Sequence, residues 1–163
     1  MAAKDDKRAG KYLTFVLQNE TYGIEILKVQ EIIGLMDITR VPRTPNYMRG
    51  VINLRGKVIP VIDLRTKFSL ATQEGTEKTC IIVVQVPRDN LTSTTMGILV
   101  DEVSEVTNIE AEQIENTPNF GTTLDTEFIL GVGKTGQKVI MLLDVDKVLT
   151  KHEAALLDNL AVA

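Results

Sequence analysis

Short runs of Val, Ile and Leu recur along the chain and are separated by Gly, Pro and Asn. This alternation of apolar runs with turn residues is typical of β-strands. Short helices are expected at Glu110–Glu115 and Glu153–Leu160, and the spacing from Ile26 to Ile33 also fits a helical turn. The pattern predicts strands near 12–18, 21–26, 28–34, 50–55, 57–63, 79–86, 95–100, 102–107, 127–132 and 137–145.

The chain also contains a weak internal duplication. Similar tripeptides around Gly23 and Gly97 open the two copies. Each copy ends in a paired-strand pattern, which begins at Gly50 in the first copy and at Gly131 in the second. Five short strands in each copy favour two small barrels, because closure of a barrel removes exposed strand edges.

The duplication predicts the domain organisation. We expect an all-β protein with a minor helical part, whose two five-stranded barrel subdomains span about 11–68 and 79–150 within a single domain, 11–157. The polar start, residues 1–10, is expected to be a disordered tail. Residues 151–163 are expected to form a short C-terminal helix and tail.

Composition narrows the class of protein. The 163 residues, of which 44% are hydrophobic and 25% charged, are enough to build a core without disulfides. The N-terminus lacks the apolar core of a signal peptide, and no apolar run approaches the roughly 18 residues that cross a bilayer. We therefore expect a cytoplasmic protein without direct membrane insertion. The net charge of −4 argues against bulk nucleic-acid binding.

Charge is unevenly distributed along the chain. Residues 40–67 contain seven Lys or Arg against the single acid Asp63, whereas residues 101–127 contain eight Asp or Glu and no Lys or Arg. Such segregation is compatible with two solvated faces of opposite sign. It also favours head-to-tail contacts or two different partners.

Residues suited to catalysis are sparse. His152 is the only histidine, Cys80 is the only cysteine, and no hydrolase or zinc motif occurs. The stretch 131–135 resembles the end of a phosphate-binding loop but lacks the earlier glycine and precedes a predicted strand rather than a helix. We predict no catalytic residue, metal or cofactor. A nucleotide switch at 131–135 and a small-ligand sensor with a groove between the barrels are the alternatives.

Several segments together resemble the CheW family of chemotaxis coupling proteins. The similarity covers about 11–157. The segments are Tyr22–Ile32, Gly50–Gly56, Val58–Arg65, Gly97–Val103 and Ala111–Ile114.

The resemblance implies two SH3-like barrels packed side by side and a non-enzymatic adaptor with two protein partners. One partner is the cytoplasmic tip of methyl-accepting chemoreceptors, which is a helical hairpin. The other is the regulatory domain of the histidine kinase CheA, itself CheW-like. Such an adaptor is cytoplasmic and is recruited to membrane-associated receptor arrays.

The resemblance also implies which residues bind the receptor. Glu31 and Arg55 are expected to orient the hairpin through charged hydrogen bonds. Three apolar positions are expected to line a groove for its apolar face, although they could instead belong to the core. Gly50 matches a functionally sensitive turn. The implied receptor-binding set is Val29, Glu31, Arg55, Cys80 and Val106.

Overall fold

The computed structural model describes residues 7–70, 75–87, 93–116 and 128–148. Within them the chain forms eleven strands, one short α-helix and three single 3-10 turns, at Ile26–Lys28, Ala111–Gln113 and Val145–Lys147. The strands are β1 (Gly10–Leu17), β2 (Glu20–Glu25), β3 (Val29–Gly34), β4 (Met48–Leu54), β5 (Lys57–Asp63), β6 (Cys80–Pro87), β7 (Ser93–Val100), β8 (Glu102–Ile109), β9 (Ile114–Glu115), β10 (Ile129–Thr135) and β11 (Lys138–Leu143); the helix is α1 (Leu64–Lys67).

The strands form two sheets. A six-stranded sheet has the order β8-β1-β2-β11-β10-β9, and a five-stranded sheet has the order β3-β6-β7-β5-β4. Neighbouring strands are antiparallel except at two places, where β5 pairs in parallel with β7 and β11 with β2. Each sheet therefore contains strands from both halves of the chain. The sheets do not follow the predicted boundaries of about 11–68 and 79–150, because strand pairing crosses between the halves.

The internal duplication is visible in the three-dimensional structure. The β4–β5 and β10–β11 hairpins both shift register immediately before a glycine, Gly50 in the first and Gly131 in the second. In both hairpins the second strand then pairs in parallel with a strand of the opposite half. The two halves are thus structural copies that have exchanged strands.

Three groups of buried side chains hold the sheets together. One lies within the five-stranded sheet around Ile81, and another lies within the six-stranded sheet around Ile140. The largest contains residues of both sheets, including Phe15 from β1 and Ile98 from β7. Burial of these side chains stabilises the two sheets as one body, since apolar area is removed from water between them as well as inside each.

The all-β character with a minor helical part is confirmed. The predicted helix at Glu110–Glu115 is wrong, because the chain makes only the turn Ala111–Gln113 and then enters β9. Order also begins before residue 11, since Arg8 donates hydrogen bonds of 3.0 Å to Asn116 Oδ1 and to the Leu130 carbonyl. The predicted C-terminal helix lies outside the described residues. Among the described residues, no helix has both the length and the apolar character needed to span a membrane.

Candidate functional site

The turn between β4 and β5 has an unusual backbone for its sequence. Leu54 pairs with Lys57, so the turn consists of two residues, Arg55 and Gly56, with φ values of +52° and +87°. Positive φ at both positions defines the tight hairpin turn whose twist suits a β-ribbon and which favours Asn or Gly. The Gly56 amide is held by Asn53 Oδ1 at 2.8 Å. An arginine at the first of these positions is conformationally costly, which is a feature found more often at functional sites.

The Arg55 side chain forms an ion pair with Glu31 on β3. Its guanidinium donates two hydrogen bonds to the carboxylate, one from Nη1 to Oε2 at 3.2 Å and the other from Nη2 to Oε1. This hydrogen bonding and the negative charge of Glu31 raise the pKa of Arg55. Arg55 is 67% exposed and Glu31 26% exposed. The pair therefore presents an oriented cation to solvent at an edge strand of the five-stranded sheet.

The three apolar candidates differ in position and burial. Val29 on β3 and Cys80 at the start of β6 are half-buried and pack against the largest core cluster. The Cys80 thiol donates to the Lys78 carbonyl at 3.3 Å. Val106 lies on β8, an edge strand of the six-stranded sheet, and is 50% exposed. Packing in the core therefore accounts in part for Val29 and Cys80, but it does not account for Val106.

Gly50 has a structural requirement for glycine. Its φ is +148°, and a Cβ added there would overlap the Thr39 carbonyl and lie 2.8 Å from Ile38 Cγ2. Thr39 approaches so closely because its backbone exchanges hydrogen bonds of 2.9 and 2.8 Å with that of Val51, the next residue on β4. Gly50 thus allows the segment after β3 to pair with the outer edge of β4.

Sequence reasoning missed a cleft of about 460 Å³, lined by both halves of the chain. Arg65 donates two hydrogen bonds to Asp101 there, from Nε to Oδ1 at 2.7 Å and from Nη2 to Oδ2 at 2.5 Å. Burial acts to raise the pKa of Asp101, but the hydrogen bonds from Arg65 and from the Gln18 amide outweigh it, so that the pKa is lowered. Each residue follows a repeated strand motif, but no local pattern in the sequence indicates that the two side chains pair.

The residues suggestive of a phosphate-binding loop lie in regular β-structure. Residues 131–135 belong to β10, which is followed by a two-residue turn and then by β11 rather than by a helix. Lys134 Nζ lies 2.6 Å from Glu115 Oε1. This arrangement does not provide the backbone amides of a helix N-terminus that a phosphate-binding loop requires.

Two sheets that each combine strands from both halves of the chain, with an exposed hairpin turn at Arg55, define a duplicated all-β protein. A family model described as the CheW-like domain matches residues 11–153. The chain is 45% identical to the chemotaxis protein CheW of Klebsiella aerogenes, over 93% of this chain and 88% of that protein. It is 34% identical to the chemotaxis protein CheW of Helicobacter pylori, over 91% and 86% of the two chains.

A solved structure agrees with these relatives. The crystal structure of the scaffolding protein TtCheW from Thermoanaerobacter tengcongensis superimposes with a TM-score of 0.76 at 36% identity, covering 86% of this chain and 92% of that one. The chain belongs to the CheW family of chemotaxis scaffolding proteins.

Proposed function

We propose that this chain is a non-enzymatic adaptor that couples methyl-accepting chemoreceptors to the histidine kinase CheA. It would bind the cytoplasmic tip of the receptor with one surface and the regulatory domain of CheA with another. Binding both partners at once would recruit the protein to membrane-associated signalling arrays. The observation that carries the proposal is the Arg55 turn, which is strained, exposed and held in one orientation by Glu31.

The Arg55 turn is suited to recognition at the rim of an interface. A guanidinium already held by a carboxylate loses less conformational freedom on binding than a free side chain does. Its remaining N–H groups can donate to carbonyl or carboxylate groups of a helical hairpin. Arg55 and Glu31 would therefore fix the orientation of the receptor tip, as the family resemblance implies.

Val29, Cys80 and Val106 would supply the apolar part of the receptor surface. An amphipathic helix binds a groove through side chains that are removed from water on docking. Val106 has the most exposed surface of the three to lose, being 50% exposed. Truncating such an anchor typically costs about 1–3 kcal/mol of binding free energy.

The unequal distribution of charge supports a separate surface for the kinase. Arg40 and Arg43 are exposed in the segment between β3 and β4, whereas Glu105 and Glu112 are exposed in the second half of the chain. Surfaces of opposite sign favour head-to-tail docking on a partner built from similar barrels. The CheA regulatory domain, which the resemblance describes as CheW-like, is such a partner.

Calorimetric titration tests the proposal. Wild-type protein, Arg55→Ala and Lys134→Ala would each be titrated with a receptor cytoplasmic hairpin and, separately, with a CheA regulatory domain. Lys134 is the matched control, because it is exposed and ion-paired near the equivalent hairpin turn of the other half. We expect Arg55→Ala to weaken receptor binding about fivefold or more, with CheA binding unchanged and Lys134→Ala like wild type.

Two results would contradict the proposal. Folded wild-type protein that binds neither partner would remove the adaptor function. Equal loss of receptor binding in Arg55→Ala and Lys134→Ala would remove the specific role of the Arg55 turn.

A further inference from the structure

Strands of the two halves, taken as the described residues of 7–70 and of 75–148, pair in four places. The pairings of β1 with β8 and of β3 with β6 are antiparallel, and two equivalent parallel crossings join β5 to β7 and β11 to β2. At the first crossing β5 pairs in parallel with β7, and Val61 lies opposite Gly97. At the second crossing β11 pairs in parallel with β2, and Leu142 lies opposite Gly23. Each crossing joins one strand of the first half to one strand of the second half.

The apolar contacts at the two crossings are alike. A Cβ added to Gly97 would lie 2.7 Å from Ile81 Cγ2 and 3.4 Å from Val61 Cγ2. One added to Gly23 would lie 3.3 Å from Ile140 Cγ2. Both crossings thus pack branched aliphatic side chains against a glycine. The facing residues of the other half, Val61 and Leu142, approach these added Cβ atoms to 3.4 and 3.5 Å, so aliphatic contact at the two glycines does not distinguish the correct half from a second copy of the same half.

The backbone just beyond the crossings is also alike. After β5, the Arg65 amide donates to Asp63 Oδ1 at 3.0 Å; after β11, the Asp146 amide donates to Asp144 Oδ1 at 3.1 Å. Positions 65 and 146 are related by the same offset along the chain as Gly50 and Gly131, which begin the duplicated hairpins. They are structurally equivalent, yet they carry opposite charges.

The ion-pair partners of Arg65 and Asp146 also carry opposite charges. Arg65 binds Asp101, which follows β7, through hydrogen bonds of 2.7 and 2.5 Å. Asp146 accepts a hydrogen bond of 2.9 Å from Lys28, which follows β2. The first crossing therefore has its cation beyond β5 and its anion beyond β7. The second crossing has its anion beyond β11 and its cation beyond β2.

We propose that this reversed polarity makes each half accept the opposite half and reject a second copy of itself. If two first halves paired, Arg65 of one would meet Lys28 of the other. If two second halves paired, Asp146 would meet Asp101. Like charges at such sites are costly, because the positions are only partly solvated and the Arg65 side chain is just 11% exposed. The partner recognised is the opposite half of the same chain.

A charge exchange in the full-length chain tests the proposal. The variant Lys28→Asp with Asp146→Lys keeps an ion pair at the second crossing but gives both crossings the same polarity. Pairing of like halves between two chains then becomes electrostatically favourable. After refolding from urea at low and high protein concentration, we expect light scattering to show an association constant for dimers about tenfold above wild type, equivalent to about 1.4 kcal/mol.

Two further variants act as controls. Adding Arg65→Asp with Asp101→Arg reverses the first crossing as well, which restores opposite polarity and should restore the wild-type distribution. The nearly isosteric pair Lys28→Gln with Asp146→Asn removes the like-charge contacts without adding attraction. It should give an intermediate amount of dimer, and it remains informative if the charge exchange prevents folding.

The identity of the dimer provides the second readout. Isotope-labelled and unlabelled chains would be refolded together, cross-linked and digested for mass spectrometry. We expect cross-links between chains to join first half to first half and second half to second half. The proposal is overturned if the charge-exchanged and neutral variants both refold with the wild-type proportion of dimer. It is equally overturned if the cross-links between chains join only opposite halves.

Discussion

Two arginine–carboxylate pairs in this protein differ in how far they are removed from water. The Arg65 side chain is 11% exposed and its partner Asp101 27%, whereas Arg55 is 67% exposed. Solvent screens a partly buried, doubly hydrogen-bonded pair less than an exposed one. Loss of one partner leaves the charge of the other without a hydrogen-bonding partner. An exposed pair contributes little to folding. We therefore expect the Arg65–Asp101 pair to contribute to stability, which leaves the exposed Glu31–Arg55 pair for the recognition role proposed above.

The lowered pKa of Asp101 predicts a pH-dependent contribution to stability. Because the folded-state pKa lies below the unfolded value, the stabilisation is complete above the unfolded pKa and is lost as the pH falls through the folded one. Asp101→Asn should lower the free energy of unfolding at neutral pH by about 1–3 kcal/mol. The difference from wild type should shrink as the pH falls below about 4, in urea titrations followed by circular dichroism.

The neighbouring carboxylate supplies the control for this experiment. Glu102 is 46% exposed, and its Oε1 lies 3.9 Å from Lys78 Nζ. Glu102→Gln should change the free energy of unfolding by about 0.5 kcal/mol or less. A difference between Asp101→Asn and wild type that persisted unchanged into acid would show that the Asp101 charge does not stabilise the fold.

At the scale of secondary structure, strands were predictable because turn chemistry and apolar runs are local signals. The failure at Glu110–Glu115 is also local in origin. Glu110 and Gln113 form a reciprocal capping arrangement typical of a helix start, but the chain enters β9 after one turn.

A proline such as Pro60 is ordinarily confined to an edge or a bulge, yet β5 is an inner strand. It is tolerated immediately before the pairing with β7, which begins at Val61.

The pairing of Thr39 with the outer edge of β4 predicts a specific cost in stability for a side chain at Gly50. Gly50→Ala would force the Thr39 segment away from β4 and place a Cβ at a φ of +148°. We expect a loss of about 2–4 kcal/mol in the free energy of unfolding, measured in urea. Gly34→Ala is the matched control, because an added Cβ there meets no atom within 4 Å. Equal effects of the two substitutions would show that the close approach of Thr39 is unimportant.

At the scale of the whole molecule, the duplication could be predicted from sequence but the exchange of strands could not. The recurrence of the Gly23 tripeptide at Gly97 and of the Gly50 hairpin at Gly131 reveals two copies. The pairing of β5 with β7, in contrast, depends on contacts between distant segments. The same limit applies to the candidate site. The Arg55 turn was visible as a local pattern, but the Arg65–Asp101 pair exists only because the parallel pairing brings its two members together.

Because the sheets exchange strands and share a core, the described fold should unfold in one cooperative step. Ile81 lies in the core of the five-stranded sheet and Ile140 in that of the six-stranded sheet, both at most 2% exposed. Ile81→Ala and Ile140→Ala should each cost about 2–4 kcal/mol and lower the midpoint of a single urea transition. Val139→Ala, beside Ile140 but 54% exposed, should cost about 0.5 kcal/mol or less. Hydrogen exchange of peptides from both sheets provides the decisive measurement. Earlier loss of protection only in the sheet that carries the Ile→Ala substitution would mean that the sheets unfold independently.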